Sequence, residues 1–314
     1  MQQHLGFIFP GQGSQKEGML AELAEKHALI GETFQEASTV LGYDLWQLCQ
    51  QDPDKQLSLT HITQPAILTA SVALWRLWCS LGGAKPALMA GHSLGEYSAL
   101  VCSGALKFTD AVNLVRQRGE FMQSAVPLGV GTMAAIVGLE DEQVKAACAE
   151  AARGQAVEAV NFNSPGQVVI AGHVEAVERA IDACKARGAK RALPLPVSAP
   201  FHSSLMQPAA ERFADVIADI EISVPDIPVI QNFDLSVAGE NTGQIRDNLI
   251  KQIYSPVPWV DTINSFSRQG ISVVVECGPG KVLSGLNKRI AAEMQAEATE
   301  NETALQAALA AVQS

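Results

Sequence analysis

The sequence predicts an α/β protein with a mostly parallel sheet and a second, smaller α/β unit inserted in it. Three observations carry this. Short apolar runs alternate with segments of helical periodicity through most of the chain. In the middle the order becomes strand, helix, two strands, helix, strand. One strand-to-helix junction reads Gly91-His92-Ser93-Leu94-Gly95, a G-x-S-x-G turn that lifts a serine above the end of a strand.

The elements follow in chain order. Residues 5–9 form an apolar strand that runs into the Gly-rich loop Pro10-Gly11-Gln12-Gly13-Ser14-Gln15. Helical periodicity covers residues 19–34. A second helix runs over residues 65–81, with Pro65 suited to its first turn. His61 precedes it as a possible cap. Residues 86–90 are a strand, 96–102 a helix stopped by Gly104, and 110–124 a further helix. The inserted unit spans 128–197: strand 132–138, helix 140–152, a hairpin of 157–162 and 167–171, helix 174–187 and strand 191–197. This βαββαβ order is ferredoxin-like. The main domain, residues 1–127 and 198–314, resumes with helix 209–220, strand 229–232, helix 244–253 and strand 273–276. An Ala-rich tail is expected to be helical with a solvated charged face. With the serine turn, the main domain is expected to be α/β-hydrolase-like.

At 314 residues, 47% hydrophobic and 18% charged, the chain suits one large domain plus a smaller one. A net charge of −11 argues against nucleic acid and against anionic membrane surfaces. The apolar runs are too short for a membrane span, and residues 1–10 lack the features of a signal peptide. Six scattered cysteines without a C-x-x-C pair read as reduced, mostly buried thiols of a cytoplasmic protein. No His/Cys pair has zinc-ligand spacing, so no metal is expected.

A serine hydroxyl needs a base within hydrogen-bond reach. His4 and His27 lie in surface-type segments, His92 abuts the serine, and His173 starts a helix. His202 lies in a polar, Pro-interrupted loop where the insert rejoins the main domain, and is either the base or a surface histidine. The amide of Leu94 suits one oxyanion donor. Gln12 suits the other, unless its loop is an ordinary turn. Ala111, Leu114, Val115, Met122 and Ala125 form an apolar helical stripe that includes Arg118, while Arg116 faces away. A buried arginine needs an anion, either a structural carboxylate or a substrate carboxylate gripped bidentately.

These residues resemble the stand-alone malonyl-CoA:acyl carrier protein transacylases of bacterial type II fatty acid synthesis. The resemblance runs from Phe9-Pro10-Gly11-Gln12-Gly13-Ser14-Gln15 to Glu276-Cys277-Gly278-Pro279-Gly280. Between them lie Thr63-Gln64-Pro65-Ala66, Gly91 to Tyr97, Arg116-Gln117-Arg118-Gly119, Asn161 to Gln167, Phe201-His202-Ser203 and Gln252 to Val257. No position the family uses for catalysis departs from its pattern. The resemblance implies Ser93 as acylated nucleophile, His202 as base, and Gln12 and Leu94 as oxyanion hole. The backbone carbonyl of Gln252 would orient His202. Arg118 would bind the malonyl carboxylate, with Gln64, Asn161, Asn163 and Phe201 as further substrate-binding residues, although Asn161 and Asn163 also suit a merely structural role in the hairpin. It implies malonyl-CoA as substrate, holo-acyl carrier protein as partner, no cofactor and a monomer. An acidic carrier needs a basic patch. Lys190 and Arg191, near Lys185 and Arg187, suit it, and Lys281, Lys288 and Arg289 form a second group. The rival functions are a serine hydrolase or thioesterase, a trans-acting acyltransferase of polyketide synthesis, and a catalytically dead scaffold.

Overall fold

The computed structural model describes residues 2–197 and 199–312. Residue 198, at the predicted domain boundary, and the last two residues of the tail lie outside them. In chain order the elements are β1 (Gln2–Phe9), α1 (Ala21–Lys26), α2 (Ala28–Leu41), α3 (Leu45–Gln50), α4 (Thr60–Ser80), β2 (Pro86–Gly91), α5 (Leu94–Cys102) and α6 (Phe108–Gln123). Then come β3 (Gly131–Val137), α7 (Asp141–Ala152), β4 (Val157–Ser164), β5 (Gln167–His173), α8 (Val174–Ala186) and β6 (Arg191–Pro194). The chain ends with α9 (Gln207–Ala218), β7 (Val229–Ile230), β8 (Val237–Ala238), α10 (Thr242–Gln252), α11 (Trp259–Arg268), β9 (Val273–Glu276), α12 (Val282–Ile290), β10 (Gln295–Ala298) and α13 (Glu302–Ala311).

The larger sheet has the order β10-β9-β1-β2-β7-β8. Every pairing in it is parallel except β7 with β8. Its strands read as near-continuous apolar runs because both faces are covered. Successive side chains of β1 alternate between the two layers. Phe7 and Phe9 join a core with α4, α5 and α6, whereas Ile8 joins Trp259, Phe266 and Leu283 from α11 and α12 on the other face. The second sheet, β4-β5-β3-β6, is antiparallel throughout. It has its own apolar cluster with α7 and α8, including Ile136, Val144, Ile170 and Ile181.

Several boundaries differ from expectation. The periodic stretch 19–34 is two helices, broken at His27, which is extended at φ −131° and ψ 99°. Helix α4 begins at Thr60, so His61 is inside it and Pro65 is an interior residue instead of a first-turn one. At this start Thr63 Oγ1 donates to the Leu57 and Leu59 carbonyls, and Thr60 Oγ1 donates across to Gln123 Oε1 at the end of α6 at 2.8 Å, a distant contact that the proline signal does not register. Strand 191–197 stops at Pro194. The tail is not all helix: β10 adds to the sheet edge beside β9. Helices α3, α11 and α12 and the short β8 were not among the expected elements, although the buried Trp259, Ile263 and Phe266 of α11 recur at helical spacing.

Two glycines set the central geometry. A Cβ on Gly95 would lie 2.0 Å from the Phe9 carbonyl oxygen, and one on Gly91 would lie 1.9 Å from the Gly95 carbonyl carbon. The turn after β2 therefore packs directly on the end of β1, in register with Phe9 opposite Gly91. Both strand ends, and the loops that follow them, emerge at one carboxyl edge of the sheet, where α/β proteins place their sites.

Candidate active site

Ser93 sits at φ 51° and ψ −108°, a conformation unusual for a non-glycine residue. It is held there by a clamp. Asn232, just past β7, accepts from the Ser93 amide at 2.8 Å through Oδ1 and donates to the Gly91 carbonyl at 2.8 Å through Nδ2. Leu94 opens α5, so its amide has no intrahelical acceptor. The Gln12 loop is pressed close by two glycine contacts: a Cβ on Gly11 would lie 2.5 Å from the His92 carbonyl oxygen, and one on Gly278 would strike Pro10 at 2.4 Å.

The His202 imidazole faces the serine, with Nε2 2.8 Å from Ser93 Oγ. Its Nδ1 is 3.0 Å from the Gln252 main-chain carbonyl, so Nδ1 carries the proton and Nε2 is the acceptor. His202 is 3% exposed and itself has φ 65°. Burial, then the neighbouring Arg118 cation, push its pKa down to about 3. The ring is thus neutral and able to take a proton at neutral pH.

Arg118 is 1% exposed on the inner face of α6. Helix α6 can come this close to α4 because Gly119 has no side chain; a Cβ there would lie 2.7 Å from the His61 Cα. The guanidinium donates to Gln64 Oε1 at 2.9 Å, to Gln252 Oε1 at 2.8 Å and to Ser93 Oγ at 3.2 Å. All three acceptors are neutral, and Nε has no partner among the described residues. The face of Tyr97 lies 5.1 Å from the guanidinium carbon. Of the two partners expected for this cation, the structural carboxylate is not in contact. Burial lowers the Arg118 pKa, with the surrounding groups opposing that shift.

These groups line a cavity of about 120 Å³ whose walls include Gln12, Gln64, Leu94, Asn161 and Phe201. Met133 and Asn161 from the second sheet, and Leu195 and Val197 after β6, close its other side. Asn161 Oδ1 is buried without a partner among the described residues. Asn163 does not line the cavity; its Oδ1 lies 2.8 Å from His92 Nε2, so it supports the wall through His92. Burial lowers the His92 pKa. Lys190 and Arg191 are exposed at the start of β6, a few residues before the cavity-lining Leu195. Their neighbours Arg187 and Lys185 are engaged with Glu150 and Asp182. Among the described residues no cluster of His, Cys, Asp and Glu is gathered as for a metal ion, and no helix is long and apolar enough to cross a membrane.

Sequence reasoning did not single out Asn232, Glu96 or the Gln252 side chain. Glu96 stood inside the quoted serine motif, and Asn232 ended a predicted strand at the sheet's carboxyl edge. Those positions were the only signals. Gln252 donates through Nε2 to the Ser93 carbonyl at 3.1 Å and to Glu96 at 2.6 Å.

The acyl transferase domain family matches residues 6–305. The malonyl CoA-acyl carrier protein transacylase of Salmonella typhimurium is 58% identical over 96% of this chain and 98% of its own. The solved acyl carrier protein S-malonyltransferase of Vibrio cholerae is 55% identical, covering 97% of this chain and 99% of that one, with a TM-score of 0.95. A malonyl-transacylase solved in complex with its type II PKS acyl-carrier protein is 53% identical over 98% and 99% of the two chains, with a TM-score of 0.96. With this cavity at the end of a parallel sheet, and a family match over nearly its whole length, the chain belongs to the acyl transferase domain family.

Proposed function

We propose that this protein transfers the malonyl group of malonyl-CoA to the phosphopantetheine thiol of holo-acyl carrier protein through a malonyl-serine ester. Ser93 Oγ attacks the thioester carbonyl carbon as His202 Nε2 takes its proton. The tetrahedral oxyanion is held by the Gln12 and Leu94 amides. The carbon–sulfur bond breaks, and CoA leaves as the thiol with the proton from His202. The carrier thiol then attacks the ester, its proton passes through His202, and Ser93 is regenerated. Each half-reaction balances with no cofactor.

One observation carries this reading: a buried arginine with only neutral acceptors stands 3.2 Å from the hydroxyl that the imidazole contacts. A free carboxylate at the far end of the acyl group completes its coordination. Gln64, Asn161 and Phe201 shape the pocket for that group, and Asn163 steadies it through His92. The Gln252 carbonyl fixes the tautomer without the charge of an aspartate. A hydrolase reading gains nothing from Arg118.

Support for the carrier comes from the relatives' names and from the solved complex. Fatty acid synthesis is the role that the Salmonella and Vibrio relatives suggest; the type II PKS complex favours a polyketide carrier as the second reading. Comparing kcat/KM for the two kinds of carrier separates them. Lys190 and Arg191 are proposed to meet the acidic carrier. We further read residues 128–197 as a ferredoxin-like insert in an α/β-hydrolase-like core of residues 1–127 and 198–314, and the protein as a cytoplasmic monomer. The strand order β4-β5-β3-β6 and the separate apolar cluster support the division.

Intact mass after mixing with malonyl-CoA tests the reaction. The wild type gains one malonyl group and Ser93→Ala gains none; an adduct on Ser93→Ala refutes the assignment.

A further inference from the structure

The cavity's polar groups do not stand independently. Behind them lies Glu96, fully buried in the first turn of α5. Its carboxylate accepts from three donors on two other segments: the Asn232 amide at 2.9 Å, Gln231 Nε2 at 3.3 Å and Gln252 Nε2 at 2.6 Å. With all three partners N–H donors, the carboxylate stands here as an acceptor only. It therefore dictates which end of the Gln252 amide it meets. The NH2 end turns to Glu96 and to the Ser93 carbonyl, and the oxygen end is left facing Arg118 Nη2 at 2.8 Å.

We propose that Glu96 is a positioning residue for acid-selective acyl transfer, acting through Gln252 to hold Arg118 in place. This rests on the assignment of Arg118 to the malonyl carboxylate. The relay has a specific advantage. A carboxylate placed directly against Arg118 would occupy the guanidinium and compete with substrate. An amide oxygen orients the same guanidinium and leaves its charge available. The anion stands one residue back, where it fixes the amide and, through Asn232, steadies the turn that carries Ser93.

Glu96→Gln is nearly isosteric but offers one accepting oxygen and an NH2 in place of two accepting oxygens. The Asn232 amide and Gln252 Nε2 share one carboxylate oxygen of Glu96, and Gln231 Nε2 meets the other. In Glu96→Gln, a side chain that keeps its oxygen toward Gln252 holds that NH2 without charge assistance. One that turns its own NH2 there opposes both donors, so either orientation loosens the Gln252 amide and with it Arg118. The measurement is single-turnover acylation of Ser93 by malonyl-CoA and by acetyl-CoA, read as the ratio of the two kcat/KM values. Glu96→Gln is expected to lower the malonyl-to-acetyl ratio about tenfold or more, the scale of one charge-assisted hydrogen bond. Gln252→Leu keeps the main-chain carbonyl for His202 and is expected to lower the ratio similarly. In the double variant the Glu96 substitution should add no further fall, because its effect runs through Gln252.

An unchanged ratio in Glu96→Gln overturns the proposal, as do independent, additive falls in the cycle. Where Glu96→Gln folds poorly, an unchanged ratio in Gln252→Leu does the same. Arg118→Ala separates the two levels. If it leaves the ratio intact, the assignment of Arg118 fails and this proposal with it. If it lowers the ratio while Glu96→Gln does not, only the relay fails.

Discussion

His202 and Arg118 are electrically coupled across Ser93. The imidazole is held down to about 3 by burial and by the Arg118 cation. A malonyl carboxylate on Arg118 cancels the second of these influences, so substrate should raise the pKa of its own base. The expected result is an acid limb of kcat/KM well below the ordinary 6.5 of histidine, with the limb of kcat lying higher; a kcat/KM limb at or above 6.5 would contradict it. Removing the cation has a second effect. Arg118→Ala should cut malonyl transfer by about 100-fold or more relative to acetyl, since an unpaired buried charge costs about 3–5 kcal/mol. Equal losses for both acyl groups would deny Arg118 that role. Ser93 was legible in its motif and the burial of Arg118 in the helical stripe, whereas His202 stayed open between base and surface histidine until the family resemblance favoured the base. Gln252's double duty was not, because a side chain and a carbonyl of one residue pointing to different partners leave no trace in sequence spacing.

At the scale of elements, the site is made by close approaches that only glycine permits. Gly95 lets the turn after β2 meet β1, and Gly119 lets α6 meet α4. In each case a Cβ would run into backbone, which cannot rotate aside. Gly95→Ala and Gly119→Ala should each destabilise by about 1–3 kcal/mol or more, measured by urea unfolding. Gly119→Ala should also displace Arg118 and lower malonyl acylation. Normal stability in both would show that the elements have room to separate. The serine turn was legible because its strand and helix are local. The break at His27 and the early start of α4 were not, since each depends on contacts from elsewhere in the chain.

For the whole molecule, pH ties stability to the site. His202 has a folded pKa below its ordinary value, so its contribution to stability is full above about 6.5 and is lost as pH falls toward 3. Glu96 and Glu276 are raised by burial from 4.5 to about 7. Their contribution is full below 4.5 and is lost as pH rises through 7. His202→Asn should flatten the acid side of the stability profile by up to about 1.4 kcal/mol per pH unit, one proton's worth; an unchanged slope would place the titration elsewhere. Charge reversal at Lys190 and Arg191 should raise KM for the carrier protein and leave that for malonyl-CoA unchanged. If neither moves, the carrier docks on another face.

The sequence by itself determined the alternation of strands and helices, the serine turn and the buried arginine. These are local patterns, written in residue spacing and in the small size of glycine. It also carried the family resemblance through most of the chain. The tertiary structure decided which neutral acceptors surround Arg118, that Asn163 stands behind His92, and that Glu96 binds Asn232 and Gln252. Those contacts join residues from 25 to 156 positions apart. A hydrogen bond acts over about 3 Å of space, and only the packed sheet sets which distant residues come that near.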